Sequence, residues 1–428
     1  MAENFVHIDR NTPMLLPPDL RDWVEDNDLV HFILEVVAGI PDHQASVNAR
    51  GTGSAQYPPS TMLALLLYCY SQGIYSSRKI ERATHTHIGV RYLMANHYPD
   101  HDTIASFRQR NKTYIKQAFV TTIRVAQELG LTNFGTMAID GTSLRASAGR
   151  KTSMTYDQLE QLAIGLCEER MELATQADEQ EKNAPRKPHP HARGTIHNAL
   201  EKIKRNHAEQ RKDRATMRAQ VAGSGVGTLP QLLPEKVAPE KTVNTVDPDC
   251  HIMRMKEGYC AAGYNAQVAV DTQSRLITAA LIADSPVDSH QMLPVVQAAL
   301  QNSAGAVEVV VADAGYDNNH QIYQLKRLYG VHSVVGVQDP HRLGKIHTQT
   351  RRRQIIRRLK IERIRELATP EGRKLMIKRK STVETVFGII KHTMKFREFL
   401  TRGRENVANE LNLISAAYNL KRLTSLRA

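Results

Sequence analysis

Residues 134–147 read FGTMAIDGTSLRAS, and the change of texture at Phe134 decides the fold class. Upstream of it, apolar residues recur at helical spacing. Downstream, short apolar or alternating runs end in turn chemistry, which is the mark of strands. GTMAID is the first, followed by YNAQVAVD (264–271), RLITAALIAD (275–284), VEVVVAD (307–313) and HSVVGV (332–337). HQMLPVVQAALQN (290–302) and HQIYQLKRLYG (320–330) lie between the later strands with helical spacing. A run of strands, then strands alternating with helices, predicts an α/β fold with a mixed sheet flanked by helices.

Residues 1–130 predict an all-α N-terminal domain. Asp28 is placed to cap LVHFILEVV, whose Leu29, Phe32, Ile33, Val36 and Val37 share one face before Gly39 ends the run. PPSTMLALLLYCYSQG (58–73) is dense enough in apolar residues for a buried helix, with Ser60 as its cap and Gly73 as its stop. IERAT, a turn and an Asp102-capped TIASFRQRNK fit a helix-turn-helix presenting Arg108, Arg110 and Lys112 to DNA. They fit equally well an ordinary bundle helix with a solvated basic face.

Two segments interrupt the sheet pattern. Residues 150–241 are polar and charged and predict a mainly helical insertion after the first core strand. Residues 339–380 are basic, with thirteen Lys and Arg against three acids between Arg351 and Lys380. Acids this sparse point to a phosphate-binding segment.

The whole chain carries 57 Lys and Arg against 44 Asp and Glu over 428 residues, a net charge of +13. Such a balance suits a polyanionic partner, nucleic acid first. Hydrophobic residues make up 41%, enough to build cores and to exclude a wholly disordered chain. Four scattered cysteines without CxxC spacing exclude a disulfide scaffold and give no support to structural zinc. The opening MAENFVHIDRNTPMLLPPDL lacks the basic-then-apolar shape of a signal peptide. The longest apolar stretch, Met62–Tyr70, is about half of what a membrane-spanning helix needs. The expectation is a cytoplasmic protein with no membrane partner.

Three carboxylates stand out. Asp140 is read as ending its strand before Gly-Thr-Ser, although Asp-Gly is also an ordinary turn. Asp313 ends VEVVVAD, with Asp317 a competing candidate close by. Glu384 lies in RKSTVETVFGIIKHTMKF (379–396), whose Val383, Phe387, Ile390 and Met394 form the apolar stripe. Lys380, Glu384 and Lys391 share a second face of that helix. Ser381-x-x-Glu384 also fits a capping box. Strand-Asp, strand-Asp, helix-Glu is the order that two-metal phosphodiester chemistry uses, with hard oxygen ligands converging from separate elements.

AIDGTSLRAS, ADAGYDNNH and VETVFGIIK, in this order, resemble the DDE transposases of bacterial insertion sequences. YPPSTMLALLLYCYSQGIYSSRKIERA and NHYPDHDTIASFRQR resemble their helical N-terminal domain. DPDCHIMRMKEGYCAAGYNAQVAVDTQSRLI resembles the second and third strands of their core. The resemblance implies an RNase-H-like catalytic domain over residues 131–428, preceded by a DNA-binding helical domain over 1–130. It implies Asp140, Asp313 and Glu384 as catalytic residues binding Mg²⁺, with Mn²⁺ as a substitute. It implies Lys391, and with it Lys380 and Arg379, at DNA phosphate. The family's third-acid signature is half kept, because its tyrosine position holds Ile377 and its arginine position holds Lys380. The implied partners are double-stranded DNA, as transposon ends and target, and a second copy of the chain when DNA is bound. A nuclease that cuts without joining, and a DNA-binding protein with an inert core, are the alternatives.

Overall fold

The computed structural model describes residues 19–47, 55–155, 242–338 and 351–427, together with Gln158 and Gln161. The chain divides into two units, one spanning residues 1–133 and 412–428 and the other residues 134–411. Most of the predicted 150–241 insertion, and residues 339–350 of the basic segment, lie outside the described residues.

The first unit is helical. Asp28 caps α1 (Leu29–Ala38) by accepting from the Val30 N–H, and Val30, Phe32, Ile33, Val36 and Val37 are buried. α2 (Pro59–Ser71) has every residue from Met62 to Ser71 buried, so it forms the centre of the bundle. Its start differs from the Ser60 cap expected. Pro58 occupies the cap position without a side-chain bond and Pro59 opens the first turn, where a missing N–H costs nothing. α3 (Ser77–Thr86), α4 (Ile88–Leu93), α5 (His101–Arg110) and α6 (Lys112–Glu128) follow. The last helix, α11 (Arg404–Arg427), returns its final turns to this unit, where the Asn419 amide donates to Thr122 Oγ1 at 3.0 Å.

The second unit is built on a six-stranded mixed sheet. Its strands are β1 (Thr136–Arg145), β4 (His251–Arg254), β5 (Cys260–Asp271), β6 (Ile277–Ile282), β7 (Val309–Ala312) and β8 (His332–Val335). β5 runs antiparallel to β1 along one edge, and pairs β4 and β6 along the other. β7 and β8 run parallel to β1. Four strands in antiparallel pairing followed by two parallel ones reached through helices make the sheet RNase-H-like. α7 (Met292–Asn302) and α8 (Asn319–Tyr329) are those crossovers, long enough for the parallel return that a hairpin cannot make. A short ribbon of β2 (Ser153–Thr155) and β3 (Thr242–Asn244) stands at the root of the insertion. Two basic helices, α9 (Arg351–Ala368) and α10 (Pro370–Gly388), complete the unit, and α10 packs over β1 and β7. Among the described residues, no helix is long and apolar enough to cross a membrane.

β4 had no strand signal of its own, because HIMR is too short to alternate clearly. It forms as an edge against Cys260–Gly263 of a much longer strand.

Candidate active site

Asp140 does not end β1. The strand continues through Arg145, paired residue by residue with β5, so Asp140 sits in mid-strand opposite Val268. A partner strand of twelve residues supplies ladder bonds on both sides of Gly141 and overrides its local turn preference. β1 and β7 pair Ala138 with Val311. β7 ends at Ala312, and Asp313 follows it directly, close enough to Asp140 on β1 for the two charges to interact. Adjacent strands lie about 4.8 Å apart, so the two carboxylates are neighbours by construction. Each accepts a backbone N–H from close by in the chain: the Gly141 N–H donates to Asp140 Oδ1 at 2.9 Å, and the Gly315 N–H donates to Asp313 Oδ1 at 2.8 Å.

The electrostatics follow from this placement. Burial pushes the Asp140 carboxyl up to about 6; the Arg379 guanidinium opposes the shift and the nearby Asp313 adds to it. Arg379 Nη1 lies 3.4 Å from Asp140 Oδ2, both side chains being mostly enclosed. Asp317, by contrast, is committed elsewhere. Its side chain is 5% exposed and accepts from Arg363 Nη2 at 2.6 Å and from the Gln338 N–H. It anchors α9 to the turn after Asp313 and is no rival for the site.

α10 carries the remaining predicted residues. Val383, Phe387, Ile390 and Met394 are buried as the apolar stripe requires. Glu384 and Lys380 are exposed on the same helix, and Ile377 is 71% exposed. Ser381 lies inside α10 and donates to the Lys378 carbonyl, so the capping-box reading fails; Thr369 is the cap. The helix ends in a π-helical turn, Ile389–Thr393. That wider turn takes Lys391 off the face of Lys380 and Glu384, since 3.6-residue spacing holds only in an unbroken α-helix. Lys391 Nζ instead donates to Thr142 Oγ1 at 2.7 Å and to the Ser143 carbonyl at 2.9 Å. Burial, with Lys256 and Arg397 nearby, lowers its pKa to about 8. Lys391, Arg397, Arg145, Ser143 and Tyr259 line a pocket beside β1.

Among the described residues, no three His, Cys, Asp or Glu side chains are gathered as a ready metal cage. The donor set nevertheless fits a hard divalent cation. It offers carboxylate oxygens, without sulfur or imidazole, and the mutual repulsion of Asp140 and Asp313 is what a bound cation would relieve.

In the helical unit, Arg108 is buried rather than presented on the surface. It donates to the Tyr70 hydroxyl at 2.9 Å and to the Tyr75 carbonyl at 3.1 Å. α4 stands between α3 and α5, and Asp100 rather than Asp102 caps α5. Arg110 is exposed at the end of α5, and Lys112 opens α6.

A family model for the transposase DDE domain matches residues 254–420, and one for a transposase domain (DUF772) matches residues 18–110. The chain belongs to the DDE transposases. No curated protein and no solved structure matches it. The DDE match spans Asp313 and Glu384 of this transposase but begins after β1. The position of Asp140 therefore rests on the sheet register alone.

Proposed function

We propose that this transposase binds the ends of a mobile element as double-stranded DNA, hydrolyses a phosphodiester at each end, and joins the freed 3′-hydroxyl to target DNA. The observation that carries the reading is the proximity of Asp140 on β1 to Asp313, just past the end of the neighbouring parallel strand β7, with α10 laid across both strands. Asp140, Asp313 and Glu384 are the residues assigned to hold Mg²⁺, or Mn²⁺ in its place. When bound, the metal activates the attacking oxygen and neutralises charge on the leaving one.

The chain's own side chains do the positioning. Asp140 and Asp313 each accept a nearby backbone N–H, from Gly141 and Gly315, so neither has to be ordered when DNA arrives. Lys391 is held over β1 and supplies a cation to phosphate near the cut. Arg379 and Lys380 extend that cationic track along α10. Residues 131–428 act as the catalytic domain and residues 1–130 as a DNA-binding domain, with Arg110 and Lys112 as its phosphate contacts. Pairing two ends calls for a homodimer on DNA, in the nucleoid of a bacterial cytoplasm.

The exposed Glu384, together with the absence of a gathered three-acid cage among the described residues, favours one second reading, a DNA-binding protein with an inert core. Cleavage of labelled DNA carrying the element's own ends, in Mg²⁺ and in Mn²⁺, separates the two. Wild type is expected to cut, while Asp140→Asn, Asp313→Asn and Glu384→Gln bind the ends without cutting. Wild-type binding with no cleavage, or cleavage by a variant, overturns the assignment. Pre-cut ends then distinguish joining from cutting alone.

A further inference from the structure

A third aspartate lies against Gly141 of β1 and beside the turn after Asp313. Asp288, in the loop between β6 and α7, accepts from Gln267 Nε2 at 2.6 Å and from Asn265 Nδ2 at 2.8 Å, both on the same oxygen, Oδ1. Asn265 and Gln267 sit two apart on β5, so they share a face. Gln267 also donates to Asn265 Oδ1, and its own carbonyl accepts from the Tyr316 hydroxyl. Tyr316 is buried in the turn that follows Asp313. A continuous polar network thus runs from the loop after β6, across β5, to the Asp313 turn.

Both glycines that follow the catalytic aspartates lie against this carboxylate, Gly141 tightly and Gly315 in ordinary contact. A methyl on Gly141 would lie 2.7 Å from Asp288 Oδ1 and 2.3 Å from Gln267 Nε2. A methyl on Gly315 would lie 2.9 Å from Asp313 Oδ1 and 3.6 Å from Asp288 Oδ2. Neither glycine has a positive φ, so conformational freedom does not explain them; the close approach of Gln267 and Asp288 does at Gly141, and that of the Asp313 carboxylate at Gly315. AIDG leaves its Cβ space to Gln267 and Asp288, and ADAG brings the Asp313 turn into contact with the same third acid.

We propose that Asp288 is a positioning residue for the metal-binding aspartates. Fixed through Oδ1 by two amides, it packs against Gly141 of β1 and beside the turn after Asp313, and sets their spacing. Its charge also deepens the negative field that draws in a divalent cation. Partners behind the liganding residues commonly change metal affinity by about ten- to a hundredfold. This inference rests on the metal-site reading above.

The test is Mn²⁺ titration by calorimetry on the full-length protein without DNA, paired with metal-free melting. Asp288→Asn retains an Oδ1 acceptor for both amides and removes only the charge. It is expected to weaken Mn²⁺ binding about tenfold or more while leaving the metal-free Tm unchanged or raised, because repulsion among the acids is relieved. A merely structural residue would lower both. Gly141→Ala, which keeps Asp288 but crowds its Oδ1 and Gln267 Nε2, is expected to weaken Mn²⁺ binding as well. Wild-type affinity in Asp288→Asn, or weaker binding matched by a lower Tm, overturns the proposal. Loss of binding in Asp140→Asn with none in Asp288→Asn refutes only this inference. Wild type with no Asp140-dependent Mn²⁺ binding refutes the metal-site reading and this inference together.

Discussion

Arg379 holds its guanidinium 3.4 Å from the Asp140 carboxylate, and its buried Nε and Nη1 find no hydrogen-bond partner among the described residues. A cation placed beside Asp140 without the hydrogen bonds that would stabilise it there is easily displaced. Arg379→Gln is therefore expected to tighten Mn²⁺ binding several-fold in the absence of DNA, measured at pH 8 where Asp140 is ionised in both proteins. The same substitution is expected to weaken binding to DNA ends. Weaker Mn²⁺ binding would mean that Arg379 orients Asp140 rather than competing for it.

Asp140 gives a second expectation, with a defined sign. Its folded pKa of about 6 lies above the ordinary 3.8, with burial the largest cause. The folded chain thus holds more protons than the unfolded chain between about pH 4 and 6, and stability falls as pH rises through that window. Asp140→Asn mimics the protonated form. In metal-free buffer it is expected to be more stable than wild type at pH 7.5, by roughly 1–3 kcal/mol, and equal to it near pH 4. Urea titrations at the two pH values measure the difference; an equal gap at both would place the effect elsewhere.

The buried pair Arg363–Asp317 joins α9 to the turn after Asp313, with side chains 6% and 5% exposed. Arg363 Nη2 also donates to Asn319 Oδ1 at 2.7 Å. Removing one member of a buried pair leaves the other uncompensated, at a cost of about 3–5 kcal/mol. Arg363→Met is expected to lower stability by that order in denaturant melts. It should also reduce cleavage through misplacement of the turn rather than through lost phosphate contact, so the salt dependence of DNA binding should not change.

Much of this was legible along the chain. VVVA reads as a buried strand because both faces of a central parallel strand are apolar, and the strand-then-crossover order gives the mixed sheet. Local signals misled wherever a distant partner decides. Gly141 looks like a turn until β5 is laid beside it, and Asp140 then falls in mid-strand. Arg108 reads as solvated because α5 is otherwise polar, yet its partners Tyr70 and Tyr75 lie more than thirty residues upstream. Lys391 was assigned a face by a periodicity that the π-helical turn breaks. Asn265, Gln267 and Asp288 could be singled out as polar residues near one strand. Their shared contact, however, depends on the close approach at Gly141, which no linear spacing encodes.

Arg108 supplies a prediction of its own. Its guanidinium bridges Tyr70 at the end of α2 and the Tyr75 carbonyl beyond it. Truncation would remove both of these charge-assisted bonds, at about 1.5–3 kcal/mol for each. Arg108→Ala is expected to lower the melting temperature of the helical unit. At temperatures where the fold persists, DNA affinity should stay unchanged. Arg110→Ala should do the reverse, and a loss of DNA affinity confined to Arg108→Ala would restore the surface reading.

Lys391 predicts how DNA binding responds to alkali. Burial beside Lys256 and Arg397 lowers its pKa to about 8, so it loses its charge well before an ordinary lysine would. For folding, the sign is that of a depressed cation: stability rises between about pH 8 and 10.5, where the unfolded chain still binds the proton. For DNA the sign is opposite, because a phosphate needs the charged form. Affinity for the ends is expected to fall between pH 7.5 and 9 by several-fold, with proton uptake on binding visible as a buffer-dependent enthalpy. Lys391→Arg stays charged throughout and should flatten that limb, even though a planar guanidinium cannot reproduce the ammonium's contacts with Thr142 and Ser143. An alkaline loss identical in both proteins would assign the titration to another group and leave Lys391 a structural tie to β1.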